Sequence, residues 1–130
     1  MAYGSLLSDV VQSSVVGTPP QFNDGGGTQV GTLCRAWVKF NGSAGAVIAA
    51  SFNVSSVTYV STGTYKVNFA TALADANYSP VATAQGYPAV IDGAFTQTSS
   101  AVQFYVFYAS STGGGQTKFD ANPIGFAAFR

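Results

Sequence analysis

The sequence contains no histidine and no glutamate, and charged residues make up only 8% of its 130 positions. Histidine is the usual base that activates a serine or cysteine nucleophile, and no motif pairs a serine with a lysine that would replace it. Five aspartates supply all of the acidic charge, and aspartate is common in turns because it hydrogen-bonds to nearby backbone. We therefore expect a protein without catalytic residues.

A charge excess of either sign is also missing, because five basic residues balance five acidic ones. Such a chain lacks the basic stripe that neutralises phosphates, so we expect no nucleic acid partner. The single cysteine, Cys34, excludes an internal disulfide and any metal site built from several cysteines, and its thiol is expected to be buried and unreactive. Residues 24–27 lack the oxygen ligands of a calcium loop. No metal and no cofactor are expected.

Long apolar runs are absent as well. The N-terminus has no basic start and no apolar stretch of signal-peptide length. Nowhere do apolar residues continue for the roughly 18 positions that a membrane span requires. The sequence predicts a protein made in a cytosol-like compartment, without membrane insertion.

The residues that are abundant favour β-structure. Valine, threonine, phenylalanine and tyrosine are frequent, fifteen glycines supply turns, and straight-chain helix formers are scarce. From Leu33 onwards, apolar and polar residues alternate in short runs separated by turn signals about every 8–12 residues. The pattern predicts an all-β domain over residues 33–130, an antiparallel β-sandwich or jelly roll of about eight short strands.

The same alternation predicts the core. Strands are expected at residues 34–40, 46–53, 57–69 as a hairpin, 77–84, 89–97, 101–109 and 122–130, with a long loop at 110–120. Residues expected to share the inward face of their strand are Cys34, Ala36, Val38 and Phe40; Ile48, Ala50 and Phe52; Tyr65, Val67 and Phe69; Val102, Phe104, Val106 and Tyr108; and Ile124, Phe126 and Ala128.

Residues 1–32 have a different character. The prolines at 19 and 20 force extended backbone before them, and residues 24–27 indicate a turn or flexible loop. One face of a short helix could be marked by Leu6, Leu7, Val10, Val11 and Val15, but the β-branched valines and the serines between them argue against a helix. We predict an extended N-terminal arm, with a part-helical arm as the alternative. Its apolar residues are expected to dock on its own domain or on a neighbouring chain.

Two aromatic features suggest a covered surface. Trp37 shares a strand face with two basic residues and points away from the predicted core. The strand at 101–109 is apolar on both faces, so Tyr105 and Phe107 also point away from the core, and a strand of this kind is usually buried on both faces. Either the arm covers them, or Trp37, Tyr105 and Phe107 form a subunit interface, where aromatic residues are enriched. Both hold if the arm is exchanged between subunits.

Several motifs carry a resemblance to a known family. Residues 34–42 read CRAWVKFNG and residues 51–58 read SFNVSSVT, followed by a glycine turn, the segment TYKVNFATA and the turn DANY at residues 75–78. This arrangement resembles a module of bacteriophage tail fibres and other virion proteins. The resemblance covers residues 17 to about 80, and the C-terminal third is similar only in kind.

The resemblance implies a non-enzymatic protein on the surface of a virion, synthesised in the host cytoplasm. It would be a tail-fibre-like tip, knob or adaptor that forms a homotrimer and contacts other virion proteins. Loops carrying Tyr87 and Gln116 would be the candidates for host attachment, through a cell-surface glycan or protein. The alternatives are a capsid-decorating knob or cement protein and a stand-alone glycan-binding module.

Overall fold

The computed structural model describes residues 7–8, 10–15, 20–109 and 115–130. The chain divides into two units, Met1–Leu33 and Cys34–Arg130, one residue away from the boundary expected from the sequence. Leu6, one of the residues predicted to dock, lies outside the described residues.

The N-terminal unit contains one small hairpin. β1 (Phe22–Asn23) pairs in antiparallel fashion with β2 (Gln29–Gly31). Asp24 organises the intervening turn, because its Oδ1 accepts hydrogen bonds from the backbone N–H groups of Gly26 and Thr28 at 2.9 and 2.8 Å. Residues 10–15 contain no helix, so the part-helical alternative is wrong for that stretch.

The second unit is built from two antiparallel sheets. Its strands among the described residues are β3 (Cys34–Asn41), β4 (Val47–Phe52), β5 (Val54–Ser61), β6 (Thr64–Phe69), β7 (Ser79–Ala84), β8 (Ala89–Ile91), β9 (Ala101–Ala109), β10 (Gln116–Lys118) and β11 (Ile124–Phe129). The first sheet has the order β4-β3-β11-β7. In the second sheet, β5 pairs with β6 and β6 with β9, and β9 also pairs with β8 and β10. The predicted all-β, antiparallel sandwich is confirmed.

Aromatic rings join the two sheets in the core. Phe104 of β9 stacks on Phe126 of β11 with ring centroids 6.0 Å apart. Phe40 of β3 meets Tyr65 of β6 edge-on at 5.1 Å. The inward residues predicted for β3, β6, β9 and β11 are confirmed as buried, with two exceptions. Cys34 is only half-buried, and Tyr108 lies past the end of the core and is exposed.

The face predicted for β4 is wrong. The register of β4 against β3 shifts at Ala49, which has no partner on β3 and forms a β-bulge. Ile48 packs against the core, whereas Ala50 and Phe52 point to the outer face and are exposed. One extra residue in a strand moves the residues beyond it to the opposite face, and alternation in the sequence alone does not reveal it.

Two other predicted boundaries differ from the structure. The stretch 89–97 forms only the three-residue strand β8, and the expected loop at 110–120 contains the short strand β10. Both short strands pair with β9. The formation of these two strands therefore depends on pairing with β9 more than on their own composition. For this reason the sequence gives only a weak signal for them.

Candidate assembly surface

One apolar row crosses the outer face of the first sheet from edge to edge. Phe52 of β4 lies opposite Trp37 of β3, and Trp37 lies opposite Ala127 of β11. Ala127 in turn lies opposite Val81 of β7. The exposed fractions of Phe52, Trp37 and Val81 are 56%, 40% and 47%. Side chains directly opposite each other on neighbouring strands are in contact range, so these four residues, here called the outer row, form one continuous surface.

The bulge in β4 brings Phe52 into the outer row. If Ala49 were paired with β3 in a regular strand, strict alternation from Ile48 would place Phe52 on the core face. β4 is an edge strand, where bulges are common and disturb only one neighbour. Sequence analysis placed Trp37 on the outer face correctly but missed Phe52, Ala127 and Val81, because their proximity depends on strand order and register.

A basic residue flanks Trp37 on each side along β3. Lys39 lines a shallow groove of about 350 Å³ together with Thr83, Ala84, Gln85, Pro123 and Gly125. Arg35 lines a second groove of about 310 Å³ together with Phe52, Asn53, Thr71 and Ala72. No carboxylate of the described residues forms an ion pair with either cation. This surface therefore suits an apolar partner that carries negative charge.

The outer face of the second sheet is polar around Lys66. Lys66 of β6 lies between Thr58 of β5 and Gln103 of β9. Gln103 Nε2 donates a hydrogen bond to Asp92 Oδ2 at 2.8 Å. This bond, together with one from the N–H of Ala94, holds the pKa of the Asp92 carboxyl below its usual range. Water can hydrate these polar side chains when no partner is bound. The continuous apolar row on the first sheet is therefore the better candidate for assembly.

Tyr105 and Phe107 belong to this second sheet and not to the sheet that carries Trp37. Phe107 is only 9% exposed within the single chain. Tyr105 is half-buried, and Lys118 Nζ lies 4.4 Å from its ring centroid while donating to Thr64 Oγ1 at 3.2 Å. A cation over an aromatic face is a favourable contact. The three aromatic residues therefore lie on two sheets, and their part in subunit contacts stays a prediction.

The arm residues present apolar side chains to solvent. Leu7 is 96% exposed and Val10 is 71% exposed. Val11 and Val15 are exposed as well. Several exposed apolar side chains in one short segment are typical of a contact surface, and the docking role of the arm stays a prediction.

The predicted attachment loops include an aromatic cluster. Tyr87 lies between β7 and β8, and its ring meets Phe119 edge-on at 4.2 Å. Tyr108 contacts the same Phe119 ring at 5.8 Å. Tyr87 and Tyr108 are both exposed, as is Gln116 at the start of β10. Sequence analysis named Tyr87 and Gln116 but missed the other two rings, because no local signal connects residue 87 with residue 119.

Asp120 links the β5–β6 turn to the segment that precedes β11. Its Oδ1 accepts hydrogen bonds from the N–H of Gly63 and from the hydroxyl of Tyr65, both at 2.7 Å. Its Oδ2 accepts one from the exposed Tyr59 hydroxyl at 3.2 Å. Burial, and then the bond to Asp120, raises the pKa of the Tyr65 phenol well above its usual value. The carboxylate is therefore occupied by structural donors.

Two other polar side chains of the sandwich are also engaged in structural contacts. The Tyr78 hydroxyl donates to the carbonyl oxygens of Thr98 and Ala101, at 3.0 and 3.1 Å, and burial raises the pKa of Tyr78 to about 12. The Cys34 thiol contacts the carbonyl oxygen of Ala36 at 3.4 Å. Within the described residues, no three side chains of the types that bind metal ions come together.

Comparisons with protein-family models, with curated proteins and with solved structures find no match to this chain. In the part of the chain that the structure describes, no helix has the length and apolar character required to cross a membrane.

Proposed function

We propose that the chain is a non-enzymatic structural protein of a bacteriophage virion surface, a tail-fibre-like tip, knob or adaptor. It assembles with copies of itself, as a trimer by the resemblance, and with other virion proteins. The absence of histidine and glutamate supports the non-enzymatic part of this proposal. The virion part depends on the motif resemblance.

The outer row is the observation that carries the proposal. Its exposed side chains cross all four strands of one sheet, and a continuous apolar surface of this kind typically marks an interaction site. Aromatic residues are enriched in the centres of such interfaces.

The motif segments themselves contribute to this surface. Trp37 lies in the segment CRAWVKFNG and Phe52 in SFNVSSVT. The remaining motif positions form strands and turns of the sandwich. The motif residues therefore form part of the sandwich scaffold, and they include two of the four residues of the outer row.

Self-association measured by light scattering over a range of concentrations tests this proposal. Trp37→Ser should weaken self-association at least about tenfold, because central aromatic contacts dominate interface energies, while the melting temperature stays unchanged. Val60→Ser is the matched control, since Val60 is an exposed apolar residue of β5 on the second sheet and is not paired with a candidate interface residue. A wild-type chain that stays monomeric at all concentrations, or equal effects of the two substitutions, would contradict the proposal.

The position on the particle requires a second measurement. Antibody labelling of purified virions in the electron microscope would place the protein at the tail or, for the capsid-decoration alternative, at the capsid. If purified particles do not contain the protein, the virion role is wrong.

The glycan-binding alternative is favoured by one observation, the cluster that the exposed Tyr87 and Tyr108 form with the half-buried Phe119. Aromatic faces are common platforms for the apolar faces of sugars. Binding to a glycan array that is lost with Tyr87→Ala and retained with Trp37→Ser would favour this alternative. An array without any binding would count against it.

A further inference from the structure

The two units of the chain have opposite charges. Residues 1–33 contain two aspartates and no basic residue, whereas residues 34–130 contain five basic and three acidic residues. Their formal charges are therefore −2 and +2. Of the basic residues, Arg130 forms an ion pair with Asp75, while Arg35 and Lys39 flank the outer row.

The arm and the outer row are also similar in size and chemistry. Neighbouring strands lie about 4.8 Å apart, so a row across four strands is about 14 Å wide. Extended backbone advances about 3.3 Å per residue, so a bound extended segment as long as residues 7–11 would span about 13 Å. Three exposed apolar side chains belong to this segment, those of Leu7, Val10 and Val11. Its sequence also contains one acidic residue, Asp9.

We infer that the outer row binds the N-terminal arm of a second copy of this chain. The inference rests on the proposed function and names the contact through which the copies assemble. The apolar side chains of the arm cover Phe52, Trp37 and Val81, and the negative charge of the arm lies near Arg35 and Lys39. Complementary charge of this kind sets the orientation of partners and increases their rate of association.

Exchange between copies satisfies both surfaces at once. Apolar side chains of both surfaces are exposed, namely Leu7, Val10 and Val11 of the arm and Phe52, Trp37 and Val81 of the outer row, so a contact between copies would bury both sets. Exchange of an identical segment is a common route to symmetric oligomers. Reciprocal exchange closes a dimer, and head-to-tail exchange around a ring closes the trimer that the resemblance implies.

Charge reversal on each surface provides the test. An arm variant with Asp9→Lys and Ser14→Lys changes the formal charge of residues 1–33 from −2 to +1. A face variant with Arg35→Asp and Lys39→Asp changes that of residues 34–130 from +2 to −2. Each variant alone should self-associate at least about tenfold more weakly than the wild-type chain at low salt, because like charges then face each other.

A mixture of the two full-length variants should restore association. In a mixed dimer, the positive arm of one chain meets the negative face of the other, and the unchanged arm meets the unchanged face. A three-membered ring of two chain types keeps one contact between like charges, so a trimer should recover only part of its association in the mixture and recover fully in the chain with all four substitutions. The restored association should weaken again at about 1 M salt, where the Debye length is only about 3 Å. Circular dichroism and the melting temperature of each variant show whether its fold is intact.

The possible outcomes separate this inference from the proposed function. If the mixture recovers no association at all while the chain with all four substitutions does, the arm binds its own sandwich and the exchange is wrong. If the arm variant associates like the wild type while Trp37→Ser does not, assembly through the outer row stands and the arm is not its partner. A wild-type chain that is monomeric throughout overturns the proposed function as well.

Discussion

At the scale of single residues, one carboxylate fastens the end of the sandwich. Tyr65 is fully buried, and a buried hydroxyl without a partner is costly. Asp120 supplies that partner and also holds the N–H of Gly63 at the adjacent turn. The same side chain meets Tyr59 at the surface, where water would replace the bond if it were lost.

Asp120→Ala should therefore lower the free energy of unfolding by about 1–3 kcal/mol, the usual cost of leaving a buried donor unsatisfied. Tyr59→Phe is the control and should change it by less than about 0.5 kcal/mol, because the lost bond is exposed. Urea denaturation of both variants measures the difference. Equal effects would show that the buried hydroxyl finds another acceptor.

At the scale of elements, the β5–β6 turn is sterically constrained by its neighbours. Gly63 has a φ of +66°, and a Cβ added to it would lie 2.6 Å from the backbone nitrogen of Phe119. Gly45, in the connection from β3 to β4, has a similar φ of +76° but open space around it. The two glycines therefore separate the cost of backbone conformation from the cost of a clash.

Gly45→Ala should destabilise the fold by about 1 kcal/mol, since the left-handed region is unfavourable for alanine. Gly63→Ala should cost at least about 2 kcal/mol more, because the backbone atoms around it must also move. Thermal or urea unfolding compares the two. A similar loss for both would mean that the segment at Phe119 shifts without cost.

Most of the strands could be predicted because their alternation is strict. In β3, β6 and β11 every second residue is apolar and is predicted to point inward. Apart from the half-buried Cys34, the side chains at these positions are buried in the structure. The inward face predicted for β4 is wrong because Ile48 is followed by two alanines, and a run of small apolar residues does not show where a bulge interrupts the alternation. Leu73 and Ala121 are buried without belonging to a strand, and no periodicity marks such positions.

At the scale of the whole molecule, the candidate site depends on information that the sequence does not express locally. Trp37 could be placed on an outer face from its own strand. Its neighbours Phe52, Ala127 and Val81 come from three other strands, and only strand order and register bring them together. Alternation along each strand places both Trp37 and Tyr105 on an outer face. It does not show that the two residues belong to different sheets.

Trp37 is the only tryptophan of the chain, so its fluorescence reports directly on the outer row. Raising the protein concentration should shift its emission to shorter wavelength, because the ring leaves water when copies associate. Phe52→Ser should abolish this shift, and Val60→Ser should retain it. An emission maximum that stays constant while light scattering detects oligomers would place the contact elsewhere on the molecule.

The unpaired Ala49 also has an evolutionary consequence. It lies in an edge strand, and the core beneath it is held by other strands. Loss of that single codon would close the bulge without turning the strand, because Ala49 has no partner on β3, and Ile48 would still lie opposite Phe40 and Phe52 opposite Trp37. Lineages carrying this scaffold would therefore be able to lose a residue at this point and later regain it while keeping both the attachment surface and the interior of the domain.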